Sequence, residues 1–188
     1  MSDAPPRRSV VRGIARLAML QREGFAEFNP TPQGFINSLS PLIAFGLIGV
    51  LQSLVGSGLR AGLINGLAAV ITMLAPTMIT HALAVRWGRQ DAWLLYAIAF
   101  NWTQIVFPLL LLAAGFVSVV GRALGFSATG IVTTALFILL PYALALHWFI
   151  TRQGLSLSRG RTLLCMIAIY LGMVLLLFAP LLLAAMLA

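Results

Sequence analysis

The stretch AWLLYAIAFNWTQIVFPLLLLAAGFVSVVG, residues 92–121, runs for thirty residues without a charged side chain. A helix rises about 1.5 Å per residue, so this stretch outreaches a bilayer hydrocarbon core of roughly 30 Å and has to tilt, bend or end early. Pro108 supplies the bend, because proline cannot donate to the carbonyl four residues back, here that of Gln104, and in lipid that carbonyl needs another partner. Asn101, Gln104 and Pro108 fall at i, i+3 and i+7, so both amides and the kink share one helical face. Polar side chains at that depth are costly in lipid, which predicts a face turned into a bundle, with the threonine-rich stretch at 61–85 as its partner. The stretch is read as the third of several membrane spans, with the others packed around it.

Composition supports that reading. Hydrophobic residues make up 61% of the 188 and charged residues 9%, too little polar surface to cover a soluble core of this apolarity. Charges bracket five charge-free stretches, 28–59, 61–85, 92–121, 123–151 and 162–188, each long enough for one crossing of about 20 residues and too short for two. The expected fold is all-α: a polytopic bundle of five transmembrane helices over 38–188, with spans near 38–57, 61–85, 92–117, 127–150 and 162–186. It is preceded by a basic segment, 1–37. Cys165 is alone in the last apolar stretch, which excludes an intramolecular disulfide and a thiolate cluster. The net charge of +8 could point to nucleic acid, but the arginines gather in the first 22 residues and at span ends. Membrane orientation and anionic headgroups account for them, and no nucleic-acid partner is expected.

The N-terminal segment opens with a twin arginine, yet Arg12 and Arg16 interrupt any apolar run of signal-peptide length, so no cleavage is expected. From Arg8 to Glu23 the residues sort on a helical wheel, with Arg8, Arg12, Arg16 and Arg22 on one side and Val10, Ile14, Leu17 and Leu20 on the other. That is the pattern of a basic amphipathic helix lying on the membrane surface; a solvated basic tail is the plainer alternative. Ser40 and Pro41 resemble a cap with a first-turn proline, placing the start of the first span there or slightly earlier. Gly58, Gly62 and Gly66 recur at four-residue spacing around Arg60, which reads as a tight turn opening the second span or as a face that another helix backbone can approach closely. Pro76, Pro108 and Pro141 place one proline inside each of three consecutive spans, either as kinks that shape packing or as the broken helices of a transporter.

No carboxylate lies within a span, since the acids are Asp3, Glu23, Glu27 and Asp91. That argues against an ion-driven carrier, which needs a buried acid as relay or ligand, and against a metal hydrolase. No nucleophile, base and acid arrangement and no phosphate loop presents itself, so neither a catalytic residue nor a resident cofactor or metal is expected. His81 and His147 each stand five residues before an arginine, Arg86 and Arg152, and so at similar depth. Two facing imidazoles could ligate a haem; a bond from each to a carbonyl, phosphate or water is the simpler reading.

From about His81 to Leu183 the order of features resembles the bacterial branch of the Yip family. The matching residues are the turn Trp87-Gly88-Arg89-Gln90, Tyr96 and Pro108 in the third span, His147, and the turn Gln153-Gly154-Leu155-Ser156 before the last span. The resemblance implies a five-span fold and a scaffold-like role, since the better known members bind Rab-type GTPases, and it supplies no catalytic residue. Ten of the twelve arginines, five before residue 23, two at 86 and 89 and three at 152, 159 and 161, fall on one side of such a topology. The positive-inside bias then places the N-terminus in the cytoplasm and the C-terminus outside, in a bacterial inner membrane. The function expected is that of a non-enzymatic scaffold or accessory, with lipid, other membrane proteins or further copies of itself as partners. A small permeation unit and a haem-carrying accessory subunit of a respiratory complex are the alternatives.

Overall fold

The computed structural model describes residues 8–186, with side chains through Phe178, and every element in it is helical. Arg7 of the twin arginine and the side chain of Pro180 lie outside the described residues. The chain runs through α1 (Val10–Ala18), a 3₁₀ segment (Arg22–Glu27), α2 (Pro32–Ser38), α3 (Ser40–Arg86), α4 (Gln90–Thr103), α5 (Val106–Ala123), α6 (Ala128–Gly154) and α7 (Arg159–Met186). Four helical stretches are long and apolar enough to cross a membrane: Pro32–Arg86, Gln90–Ala123, Ala128–Gly154 and Arg159–Phe178.

The first of these doubles back. Gly58 leaves the helical backbone at φ 84 and ψ −179, a conformation glycine adopts without a Cβ penalty. On either side of it Asn65 donates to Ser53, a Cβ on Gly46 would lie 3.2 Å from Ala69, and a Cβ on Gly66 would lie 3.6 Å from Val50. These pairs are nearly symmetric about residue 58, so α3 is a helical hairpin with limbs 40–57 and 59–86 packed antiparallel. The glycine spacing in the sequence therefore serves both of its readings: Gly58 makes the turn, and Gly62 and Gly66 face the opposite limb. Helix formation begins earlier than Ser40, at Thr31, whose hydroxyl accepts from Gly34 N–H while Pro32 occupies the first turn.

Burial divides the bundle into two levels. At one end, the base, lie the α3–α4 and α6–α7 turns together with the whole N-terminal segment. Here Tyr96, Ile98, Asn101, Leu146, Ile150, Leu155 and Ile169 are fully buried. At the other end lie the turns at Gly58 and Gly125, and large apolar side chains from Ile43 to Leu67, Leu109 to Phe126 and Val132 to Leu140 face outward. The helix at 90–103 is buried from Tyr96 through Asn101 and at Thr103, while its continuation α5 is largely exposed. The break falls at Gln104–Ile105, just ahead of Pro108, and the Gln104 carbonyl that the proline leaves free accepts instead from Phe107 N–H at 3.3 Å.

The N-terminal segment corrects the sequence reading. Its helix covers only Val10–Ala18, and Leu20 at φ 58 ends it. Leu17 and Ile14 of its apolar side pack with Phe28, Ile98, Ala99 and Phe149 of the base, while Leu20 stays exposed. The cause is Glu27, whose carboxylate accepts from Ser9 N–H and from Arg16 at 3.0 Å each, with Arg12 at 3.7 Å, folding the 3₁₀ segment back against α1. Tyr142 of α6 then donates to the Ala18 carbonyl at 2.7 Å, and Arg8 to Asn29 at 3.0 Å.

Four helix ends share one closure. Leu20, Gly88, Gly125 and Ser156 take positive φ, and the next residue's N–H reaches the carbonyl five residues back: Gln21 to Arg16, Arg89 to Ala84, Phe126 to Gly121 and Leu157 to Arg152. This bond satisfies carbonyls that a helix terminus leaves open.

Candidate functional site

The base and the outer level meet at a cavity of about 630 Å³ bounded by both limbs of α3 and by α5, α6 and α7. Pro76 in the second limb and Pro108, just past the α4–α5 break, both line it. Its wall is mainly apolar, with Phe45, Met73, Phe107 and Leu111 among the lining residues, and a few polar groups converge on it: Thr72, Thr103, Gln104, His147 and Tyr170. Among the described residues no arginine, lysine or carboxylate lines it.

Two of these groups hold hydrogen-bonding capacity in reserve. His147 Nδ1 meets Tyr170 Oη at 2.9 Å, the imidazole also lies 5.1 Å from the Phe100 ring, and Nε2 is buried with no partner among the described residues. The Gln104 carboxamide makes no side-chain hydrogen bond among the described residues. By contrast, the threonine hydroxyls are occupied: Thr103 donates to the Ala99 and Phe100 carbonyls, and Thr72 to that of Ala68.

The structure thus gathers Pro76, Gln104, Pro108 and His147 around one space and sends the other sequence candidates elsewhere. Asn101 is fully buried and donates to Ser38 of α2 at 3.0 Å, and not to the threonine-rich stretch; Ser38 in turn donates to the Phe35 carbonyl. The reason is α2, which covers this face of α4 before the second limb can reach it. The partner of that limb is Trp93, whose indole N–H donates to the Thr77 carbonyl at 3.2 Å. His81 sits edge-on to the same Trp93 at 4.6 Å and is exposed, so the two histidines have different neighbours. Pro141 is exposed beside Tyr142. Arg8, Arg12 and Arg22 are exposed on the N-terminal segment, and Arg16 is half-buried against Glu27.

In the sequence Thr72 stands among the polar residues of the second span and Tyr170 among the few features of the last, but neither carries a spacing that connects it to Gln104 or His147. The base also presents Arg89, Arg159 and Arg161 exposed, the last with its guanidinium 6.0 Å from the Trp87 ring centre. Compared with family models, with curated proteins and with solved structures, the chain matches none.

Proposed function

We propose that the chain is a five-span integral protein of a bacterial inner membrane, N-terminus in the cytoplasm and C-terminus outside, that organises or assists other membrane components without catalysing a reaction, in the manner of Yip-type proteins. The hairpin at Gly58 supports five crossings, since each limb of α3 pairs with the other along an apolar length of its own. The observation that carries the functional reading is the division into levels. The N-terminal segment is built into the base, making a fixed platform with exposed arginines at one end, while apolar helix faces of α3, α5 and α6 stand outward at the other level. A platform of that charge suits anionic headgroups, and outward apolar faces of α-helices in a bilayer pack on lipid or on helices of another protein.

Purification from the native membrane in mild detergent, after brief cross-linking, tests this. A stable membrane-protein partner retained by the chain is the expected result. A chain that emerges alone while conferring solute flux on liposomes would overturn it in favour of a permeation unit, the second reading, which the cavity between Pro76 and Pro108 favours.

A further inference from the structure

We infer that the cavity between the α3 hairpin and α5, α6 and α7 is a binding site for a single-chain lipid with an uncharged, hydroxyl-bearing head, entering sideways from the bilayer. This inference depends on membrane placement alone and holds under either the scaffold or the permeation reading.

The route of entry is set by which helices touch. α3 packs on α7, α7 on α6 and α6 on α5, but α5 does not pack back along α3 to close the ring. Leu42 and Phe45 of the first limb and Phe107 and Leu111 of α5 face the cavity from the two sides of that gap. A ligand from the hydrocarbon layer therefore meets apolar walls first. At about 630 Å³ the space falls within the roughly 300–1,000 Å³ of ordinary small-molecule sites.

The head is selected by what the wall offers and what it lacks. With no fixed charge around the cavity, a carboxylate, phosphate or ammonium head would lose its hydration without a counter-charge. Gln104 presents an amide that both donates and accepts, and a single hydroxyl answers both senses, whereas a carbonyl answers only one. The His147 imidazole backs this wall, tied at Nδ1 to Tyr170 with Nε2 buried. Small uncharged solutes lack the apolar length to cover Phe45, Phe107 and Leu111, so the tail is part of the match.

The test uses the full chain in phosphatidylcholine nanodiscs with three photoactivatable probes of equal tail length: a long-chain alcohol, the corresponding acid and the corresponding quaternary ammonium. The alcohol should label peptides spanning 103–111 and 140–150, and excess unlabelled alcohol should suppress that labelling. The ammonium, and the acid at a pH where it is ionised, should label those peptides more than about fivefold less, because an unpaired charge costs more than the one hydrogen bond that this ratio represents. Gln104→Leu should weaken competition by the alcohol about fivefold with unchanged melting temperature. Ala143→Phe, which fills the cavity, should remove the competed labelling, while Leu136→Phe on the outward face of α6 should not. Should Ala143→Phe unfold the protein, competition and Gln104→Leu still decide. Labelling spread evenly over outward residues such as Leu112 and Leu136, without competition, would overturn the site. Preferential competed labelling by the acid or the ammonium would overturn the uncharged head.

Discussion

At Gly154 an added methyl group would sit 3.0 Å from Tyr96 Cδ2 and 3.1 Å from Phe25 Cε1, closer than packed side chains normally come. The glycine is there because the last turn of α6 lies against the buried Tyr96 ring, and the positive φ of this turn falls two residues later, on Ser156 at 50°. Read in sequence, Gln153-Gly154-Leu155-Ser156 assigns the turn to its glycine; in the fold the two roles are separated, since close approach and left-handed backbone are different demands. Opposite effects follow. Gly154→Val should lower stability by about 1–3 kcal/mol through overpacking. Ser156→Gly should raise it by about 0.5–1 kcal/mol, the left-handed penalty less the extra freedom of the unfolded chain. Thermal melts in detergent would show both, and equal signs would refute the assignment. Asn101 gives a third case at this scale. Its Oδ1 is buried without a partner and Ser38 keeps its bond to the Phe35 carbonyl, so Asn101→Leu should cost less than about 1 kcal/mol, whereas Asn101→Asp, which buries an unpaired charge, should cost several. That an amide here needed a partner was legible; which partner was not, because Ser38 lies 63 residues away on a seven-residue helix with no apolar period.

Among the elements, α1 and the 3₁₀ segment stand or fall with Glu27. A carboxylate that takes an arginine and the first N–H of a helix at once cannot be replaced by an amide without losing the charge-assisted part of both bonds. Glu27→Gln should cost about 1–3 kcal/mol and speed tryptic cleavage at Arg12, Arg16 and Arg22. Unchanged cleavage would show that packing of Leu17 alone holds the segment. The amphipathic period of α1 was plain in the sequence, and its location was not: an apolar stripe opposite arginines reads the same whether lipid or the base of a bundle covers it. The charge-free stretches were more informative. Their ends agree closely with the turns at Gly58, Gly88, Gly125 and Ser156, because arginine and glycine mark where a helix leaves the hydrocarbon and reverses. The cavity was only half visible, since its polar residues come from the second limb of α3, the α4–α5 junction, α6 and α7, and no local spacing connects them.

For the molecule as a whole, the span count rests on the hairpin. Ser53 and Asn65 touch across it, so the S53C/N65C variant should form an intramolecular disulfide on mild oxidation, with buried Cys165 spared. Failure to cross-link in a folded protein would mean that α3 does not double back and that the limbs are not separate crossings. Reporter fusions after residues 58, 90, 125 and 157 should then alternate outside, inside, outside, inside; two adjacent sites on one side would end the five-span topology. The bond from Tyr142 to Ala18 spans 124 residues, and it sets an order of events in time. At synthesis rates of about 5–20 residues per second, the docking surface on α6 leaves the ribosome roughly 6–25 s after α1 does. Within that interval Phe28 and then Ile98 and Ala99 reach Leu17 and Ile14, whereas Phe149 and the Tyr142 hydroxyl arrive only at its end. The N-terminal segment therefore docks in two stages, first on its own 3₁₀ segment and α4, and on α6 only when the later helices arrive.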